Sequence, residues 1–222
     1  TVTRGFNWVK KPTAPTAPDV SYCKLTTGIP QAFTINASPN GASTKPYWYE
    51  LDPIANPTTP ILDSINFLGF VAPGITGLAP TSKTFYVTTN NKGCEGAVEP
   101  VNIEIKDSPN VSITPGPICE NKPFTLTGAV QSPGVPYTQY VWDFGDSSPL
   151  VPVLGNNVVT YNYGPDKGSE TFTVELTITN SQGCTNSISQ VVGVALNPIP
   201  DFTYDFVCDD DDTEFTGSSN IA

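Results

Sequence analysis

The chain has 222 residues, enough for one large domain or two of about 100 residues each. Its formal charge of −11, from 10 Lys+Arg against 21 Asp+Glu, removes the basic footprint that a nucleic-acid partner requires. There is no histidine, so the commonest general base and the commonest zinc ligand are both missing.

With 23 prolines and 18 glycines set among short runs rich in Val, Ile, Thr, Tyr and Phe, and no sustained helical spacing, the chain reads as all-β. Its acidity fits a soluble protein outside the cell. It shows no signal peptide and no apolar run long enough to span a bilayer, so direct membrane insertion is not expected. Methionine is absent even at position 1, which marks the chain as processed or as a piece of a longer one.

In chain order, residues 1–18 read as the last strand of a preceding domain, TVTRGFNWV, and a linker, KPTAPTAP, stiffened by its prolines. Residues 19–106 form a first full domain: VSYC from 20, a polar turn, an alternating strand, the aromatic strand YWYEL with Trp48, and a hairpin through NNKGCEG to VNIEI. Residues 107–197 repeat that order with VSITPGPIC, FTLTGAV, YVWDF with Trp142, and a hairpin through TNSQGC to SISQVVGV. Residues 198–222 start again with DFTYDFVCDDDDTEF and break off after a second strand. The joints KDSPN and LNPIPD are short, so successive domains are expected to touch end to end.

The spacing is regular. Cys23, Cys119 and Cys208 are 96 and 89 residues apart, and Cys94 and Cys184, each following a turn glycine, are 90 apart. Trp48 follows Cys23 by 25 residues and Trp142 follows Cys119 by 23. This is the signature of tandem sandwich-like units of about 90 residues.

YVWDFGDSSP (140–149), VVTYNYGPDKGSETFTVELTITNSQGC (158–184) and SISQVVGV resemble a PKD domain, an immunoglobulin-like β-sandwich; Tyr161 fills the place, two before Tyr163, where that family has His or Tyr. SYCKLTTG, YWYEL, TSKTFYVTTNNKGCEG and VNIEI are similar to the Ig-like modules that accompany PKD repeats in large secreted proteins of Bacteroidetes. Together the two resemble the giant gliding-motility adhesins of the SprB type and related type IX secretion substrates. The resemblance implies tandem immunoglobulin-like β-sandwiches arranged end to end in an extracellular, cell-surface protein that extends, transmits force and contributes to adhesion. Its implied partners are neighbouring repeats of the same chain, surface polysaccharide or substratum, and the cell-surface secretion and motility machinery. The alternative is a set of accessory PKD/Ig-like or carbohydrate-binding modules of a secreted polysaccharide hydrolase.

VWDFGDSS contains Asp143-Phe144-Gly145, the triplet that holds magnesium in protein kinases, but the phosphate loop, strand lysine and His-Arg-Asp loop of a kinase are missing. On a sandwich, Tyr140, Trp142 and Phe144 share one face with Trp142 in the core, as Trp48 is in the first domain. Gly145 and Asp146 then make the turn, with Asp146 and Ser147 accepting backbone N–H groups. A surface calcium site at Asp143 or Asp146 is the minor reading.

Asp209, Asp210, Asp211 and Asp212 offer four consecutive carboxylates, yet adjacent strand residues alternate sides and the EF-hand spacing is absent. A solvated acidic turn is the expectation, with calcium as the sole cofactor reading. Tyr47 and Tyr49 flank Trp48 and are expected to face away from the core, where they cover a neighbouring strand or stack on a sugar. Asp63-Ser64-Ile65 matches the Bacteroidetes O-glycosylation triplet, which makes Ser64 a glycan candidate by resemblance. Neither an acid/base pair nor a nucleophile with a base is present, so no catalysis is expected.

Five cysteines without histidine and without CxxC spacing point away from zinc and toward disulfides. Pairing within domains joins Cys23 to Cys94 and Cys119 to Cys184. Sandwich topology opposes it, because Cys119 lies at the corner between the first two strands and Cys184 in the last hairpin turn. Strands of about seven residues hold those two ends roughly 20 Å apart, beyond the Cα separation of about 7 Å that a disulfide spans. The geometry favours an interdomain bond of Cys23 with Cys184, which leaves Cys94, Cys119 and Cys208 to partners outside the chain and makes the array a stiff rod.

Overall fold

The computed structural model describes residues 8–26, 28–40, 44–64, 67–130, 135–155, 157–209 and 211–219. All regular structure among them is β-strand, and no helix is long and apolar enough to cross a membrane. The chain divides into two units, one ending at Ser108 and the other beginning at Pro109.

In the first unit the strands are β1 (Val20–Cys23), β2 (Thr34–Ile35), β3 (Lys45–Tyr49), β4 (Phe70–Val71), β5 (Thr81–Asn91), β6 (Cys94–Glu95) and β7 (Glu99–Lys106). One sheet runs β1-β7-β5-β3, with β6 also on β5, and β2 pairs with β4. Period-2 alternation along β7 drives Val101, Ile103 and Ile105 inward. They meet Ile35, Phe85 and Trp48, which has no exposed surface. Trp48 of β3 stacks on Phe70 of β4 at 4.5 Å between centroids, and Phe70 meets Phe85 edge-on at 5.5 Å, so one aromatic column joins the two strand groups.

In the second unit come β8 (Val111–Pro115), β9 (Phe124–Val130), β10 (Tyr137–Asp143), β11 (Val151–Leu154), β12 (Val158–Tyr161), β13 (Thr171–Asn180) and β14 (Thr185–Gly193). Two sheets, β12-β9-β8 and β11-β10-β13-β14, face each other as an immunoglobulin-like sandwich. TFTVELTITN of β13 alternates strictly, and Phe172, Val174, Leu176 and Ile178 are all buried. Trp142, Leu126 and Phe144 fill the same core.

After β14 the chain forms one more hairpin, β15 (Pro200–Tyr204) with β16 (Phe215–Ser219). Its pairing repeats that of β8 with β9 at an offset of 89 residues: Val111↔Val130 and Ile113↔Gly128 correspond to Pro200↔Ser219 and Phe202↔Gly217. The same offset separates Cys119 from Cys208. Phe202, Tyr204, Phe206 and Phe215 stay exposed, although Leu126, the counterpart of Phe215, is fully buried in the second unit.

Candidate functional site

The segment VWDFGDSS ends strand β10 and turns. Tyr140, Trp142 and Phe144 all point into the core. Two side chains organise the turn in succession: Asp143 Oδ1 accepts the Gly145 N–H at 2.9 Å, and Asp146 Oδ1 accepts the Ser148 N–H at 3.1 Å. The expected second acceptor, Ser147, instead occupies the left-handed region at φ 67. Asp143 takes its place because it is the residue two before the first orphan N–H.

The other Asp146 oxygen accepts the Tyr161 hydroxyl at 2.7 Å, and Tyr163 donates to the Phe144 carbonyl at 3.0 Å. Tyr161 stacks on Phe144 at 3.6 Å, so this tyrosine pair clamps the turn to the end of β12. Burial would raise the Asp146 carboxyl, but hydrogen bonds from Ser148 and Tyr161 outweigh it and hold it below the usual carboxylate range. Burial first, and the nearby Asp146 charge second, push the Tyr163 phenol well above its usual value. Both carboxylates are thus engaged in holding a loop.

The cysteines lie at the ends of the sandwiches. In the first unit, Asn91-Lys92-Gly93-Cys94 closes β5 onto β6 with positive φ at Lys92 (47) and Gly93 (90), a turn suited to a two-residue hairpin. Asn90 Oδ1 accepts the Gly93 N–H at 3.0 Å. In the second unit Asn180 Oδ1 accepts the N–H groups of Gln182 and Cys184, and Gly183 has φ 82. A glycine able to take positive φ therefore sets each tip cysteine.

At the other end, Cys23 is the last residue of β1 and lies opposite Lys106 in a parallel ladder with β7. Cys119 forms the matching parallel bridge to Ala195, just past β14. The next residue donates its N–H to the same partner in both units, Lys24 to the Lys106 carbonyl at 2.8 Å and Glu120 to the Ala195 carbonyl at 2.9 Å. Side chains lock both corners: Lys24 pairs with Asp107 at 2.8 Å, and Glu120 accepts the N–H groups of Gly168 and Asn197. These locks are not legible in the sequence, because each joins residues 48 or more positions apart.

Within each unit, corner and tip are thus a full strand length apart. Cys119 and Cys184 flank the nine residues of β14, about 30 Å of extended chain, and Cys23 and Cys94 are separated by the eleven of β5, about 35 Å. These spans exceed the roughly 20 Å expected from seven-residue strands. Cys23 and Cys184 are disulfide-bonded, whereas Cys94, Cys119 and Cys208 are free thiols.

Tyr49 departs from expectation. It is only 4% exposed, and its hydroxyl donates to Glu95 Oε1 at 2.7 Å, an oxygen that also accepts the Thr88 hydroxyl at 2.6 Å. Burial and then the Glu95 carboxylate push its phenol well up. The hairpin residues after Cys94 cover this face of β3, so Tyr49 is not available to stack on a sugar; Tyr47 beside it is half-buried.

Ser64 is exposed next to Asp63, whose carbonyl accepts the Trp48 N–H at 3.0 Å, while Ile65 of that triplet lies outside the described residues. Asp209, Asp211 and Asp212 are exposed, and Asp210 lies outside the described residues. Among the described residues no three Asp, Glu, Cys or His side chains gather closely enough to hold a metal ion.

Residues 106–196 match the family model described as the PKD domain. That match spans the second sandwich, so this part of the chain is similar to PKD domains. No curated protein matches the chain. Similar solved structures include the fibronectin(III)-like modules of CbhA from Clostridium thermocellum, at 12% identity and TM-score 0.44 over 82% of this chain and 94% of that one. The IG1+IG2 segment of DIP-gamma is similar at 12% identity and TM-score 0.32 over 84% and 98%. Drosophila N-cadherin EC1-4 is similar at 11% identity and TM-score 0.32 over 89% of this chain, which spans about half (52%) of that one. The turn described above, with Tyr161 on Asp146, lies inside the matched region.

Proposed function

We propose that this chain is a stiff spacer segment of an extracellular cell-surface adhesin of the gliding-motility type, exported by type IX secretion, in which PKD/Ig-like repeats are bolted end to end by disulfides. It extends the adhesin and transmits force toward substratum or surface polysaccharide, and it performs no chemistry of its own. The observation that carries this reading is the cysteine pattern. Each unit bears one cysteine at a corner and one at a hairpin tip; Cys23, the corner of the first unit, and Cys184, the tip of the second, are disulfide-bonded, while Cys94 and Cys119 are free. A Cys23–Cys184 bond across the joint produces that distribution.

Small domains in tandem move relative to one another unless their interface is large. A covalent link beside the short joint supplies a second tether, so the joint cannot hinge freely under load. Proteolysis under non-reducing conditions followed by mass spectrometry is expected to yield one peptide pair holding Cys23 and Cys184. Recovery of Cys23 with Cys94, or of Cys184 with Cys119, would remove the basis of the proposal.

A further inference from the structure

The Cys94 end of the first unit is unlike the rest of the surface. Four of the ten basic residues of the chain lie around it: Lys10, Lys11, Lys45 and Lys92. Lys92 is in the hairpin turn, and Lys45 lies opposite Asn90 in the ladder. Lys10 and Lys11 are held there because residues 9–13 run across the end of β5: the Thr89 hydroxyl donates to the Thr13 carbonyl at 2.8 Å, and Cys94 Sγ lies 3.9 Å from the Val9 carbonyl. Gly96 permits this crossing, since a Cβ there would meet the Pro12 carbonyl oxygen at 2.7 Å.

The crossing leaves a cleft of about 230 Å³ lined by Lys10, Lys11, Thr13, Asn40, Thr44 and Asn91. All four lysines are exposed, and none forms an ion pair among the described residues. The Glu95 carboxylate, which accepts from Tyr49 and Thr88 and lines a pocket with Lys11, offsets one of the four positive charges. In a chain of net charge −11 this end is a cationic concavity beside a free thiol.

A complementary surface exists in the same protein. Residues 205–214 carry six carboxylates, Asp205, Asp209, Asp210, Asp211, Asp212 and Glu214, and no basic residue. In sequence they flank Cys208, another free thiol, which stands at the corner position by its 89-residue offset from Cys119. The Asp211 N–H donates to the Cys208 carbonyl at 3.1 Å, so the acidic run turns back at the cysteine.

We propose that the Cys94 end is a docking surface for an acidic, cysteine-bearing repeat corner of the kind residues 205–214 form. Charge draws such a corner in and sets its cysteine beside Cys94. This rests on the reading that corner and tip cysteines meet between repeats, and it adds a selection rule: a repeat end accepts the corner whose charge it complements. Opposite charge raises encounter rates and like charge rejects wrong partners.

The test uses the full chain with Cys119→Ser and Cys208→Ser, which leaves Cys94 as its free thiol. The probe is a peptide of residues 205–216 whose cysteine is a mixed disulfide with thionitrobenzoate. The Cys94 thiolate attacks the peptide sulfur, the peptide's S–S bond breaks as the new one forms, and thionitrobenzoate leaves with the electron pair and is read by absorbance. The control peptide carries Asn at 209–212. The chain as a whole repels an anionic peptide, so faster reaction of the acidic one has to come from a local field.

At low salt the acidic peptide is expected to react about tenfold faster than the control. The ratio should fall to about one in 1 M salt, where screening acts within about 3 Å, and also in the Lys10→Glu/Lys92→Glu variant. Equal rates at low salt, or a preference that survives either salt or the lysine reversals, overturns the proposal. The Cys23–Cys184 bond takes no part in the readout and is mapped in the same preparation, so equal rates with that bond present reject the docking surface alone.

Discussion

Replacing Trp142 with alanine is expected to destabilise the second unit by about 3–5 kcal/mol, the usual cost of emptying an aromatic site in a core that cannot collapse. Trp142 has no exposed surface, lies in a strand that pairs with both β11 and β13, and turns its ring toward Gly128 of the facing sheet. The close approach is specific: a Cβ on Gly128 of the opposite sheet would lie 2.4 Å from Leu176 and 3.5 Å from the indole. Neither neighbour has slack to fill the void.

Trp142→Phe should cost less than half as much. It keeps most of the ring, and it removes an indole N–H that is buried without an acceptor among the described residues. Native-state hydrogen exchange of the β13 amides measures both variants within the second unit, independently of the first.

Gly145→Ala is the second large effect, about 2–5 kcal/mol. Gly145 has φ +73, a conformation that costs an L residue about 1–2 kcal/mol. The added Cβ would also sit 2.4 Å from the Thr173 carbonyl oxygen and 3.1 Å from its nitrogen, and that backbone belongs to a central strand. Overpacking of this kind costs about 1–3 kcal/mol more. Gly155→Ala is the matched control, with φ +67 and nothing within 4 Å of the new Cβ, so only the conformational part should appear. The same exchange measurement separates the two, and an equal loss at both glycines would show that the contact with Thr173 contributes nothing.

Strand positions were legible because burial on one face imposes a period of two, most plainly in TFTVELTITN, and because the cysteines and tryptophans recur at a fixed interval. The placement of corner and tip cysteines at opposite ends was legible too, since it depends only on the order of turns along the chain. Strand lengths were not. The β13–β14 hairpin runs on past seven residues, and the sequence has no punctuation there to say so.

Non-local packing accounts for the rest. Tyr49 alternates with Trp48 and so reads as exposed, but the residues after Cys94 fold over it and supply Glu95 as its acceptor. Lys10 and Lys11 lie in what reads as a linker, and only the Thr89–Thr13 bond brings them to the Cys94 end. The parallel pairing of β1 with β7 joins residues 83 apart, beyond any local pattern.

Stiffness at the joint is the central claim, and a distance distribution across it is the most direct measurement. Dyes on non-natural residues at Asn56 and Gln190, both exposed and one in each unit, leave every cysteine in place. Single-molecule energy transfer is expected to give one narrow distribution in the oxidised protein and a markedly broader one in Cys23→Ser. Distributions of equal width in the two proteins would contradict a disulfide-stiffened spacer.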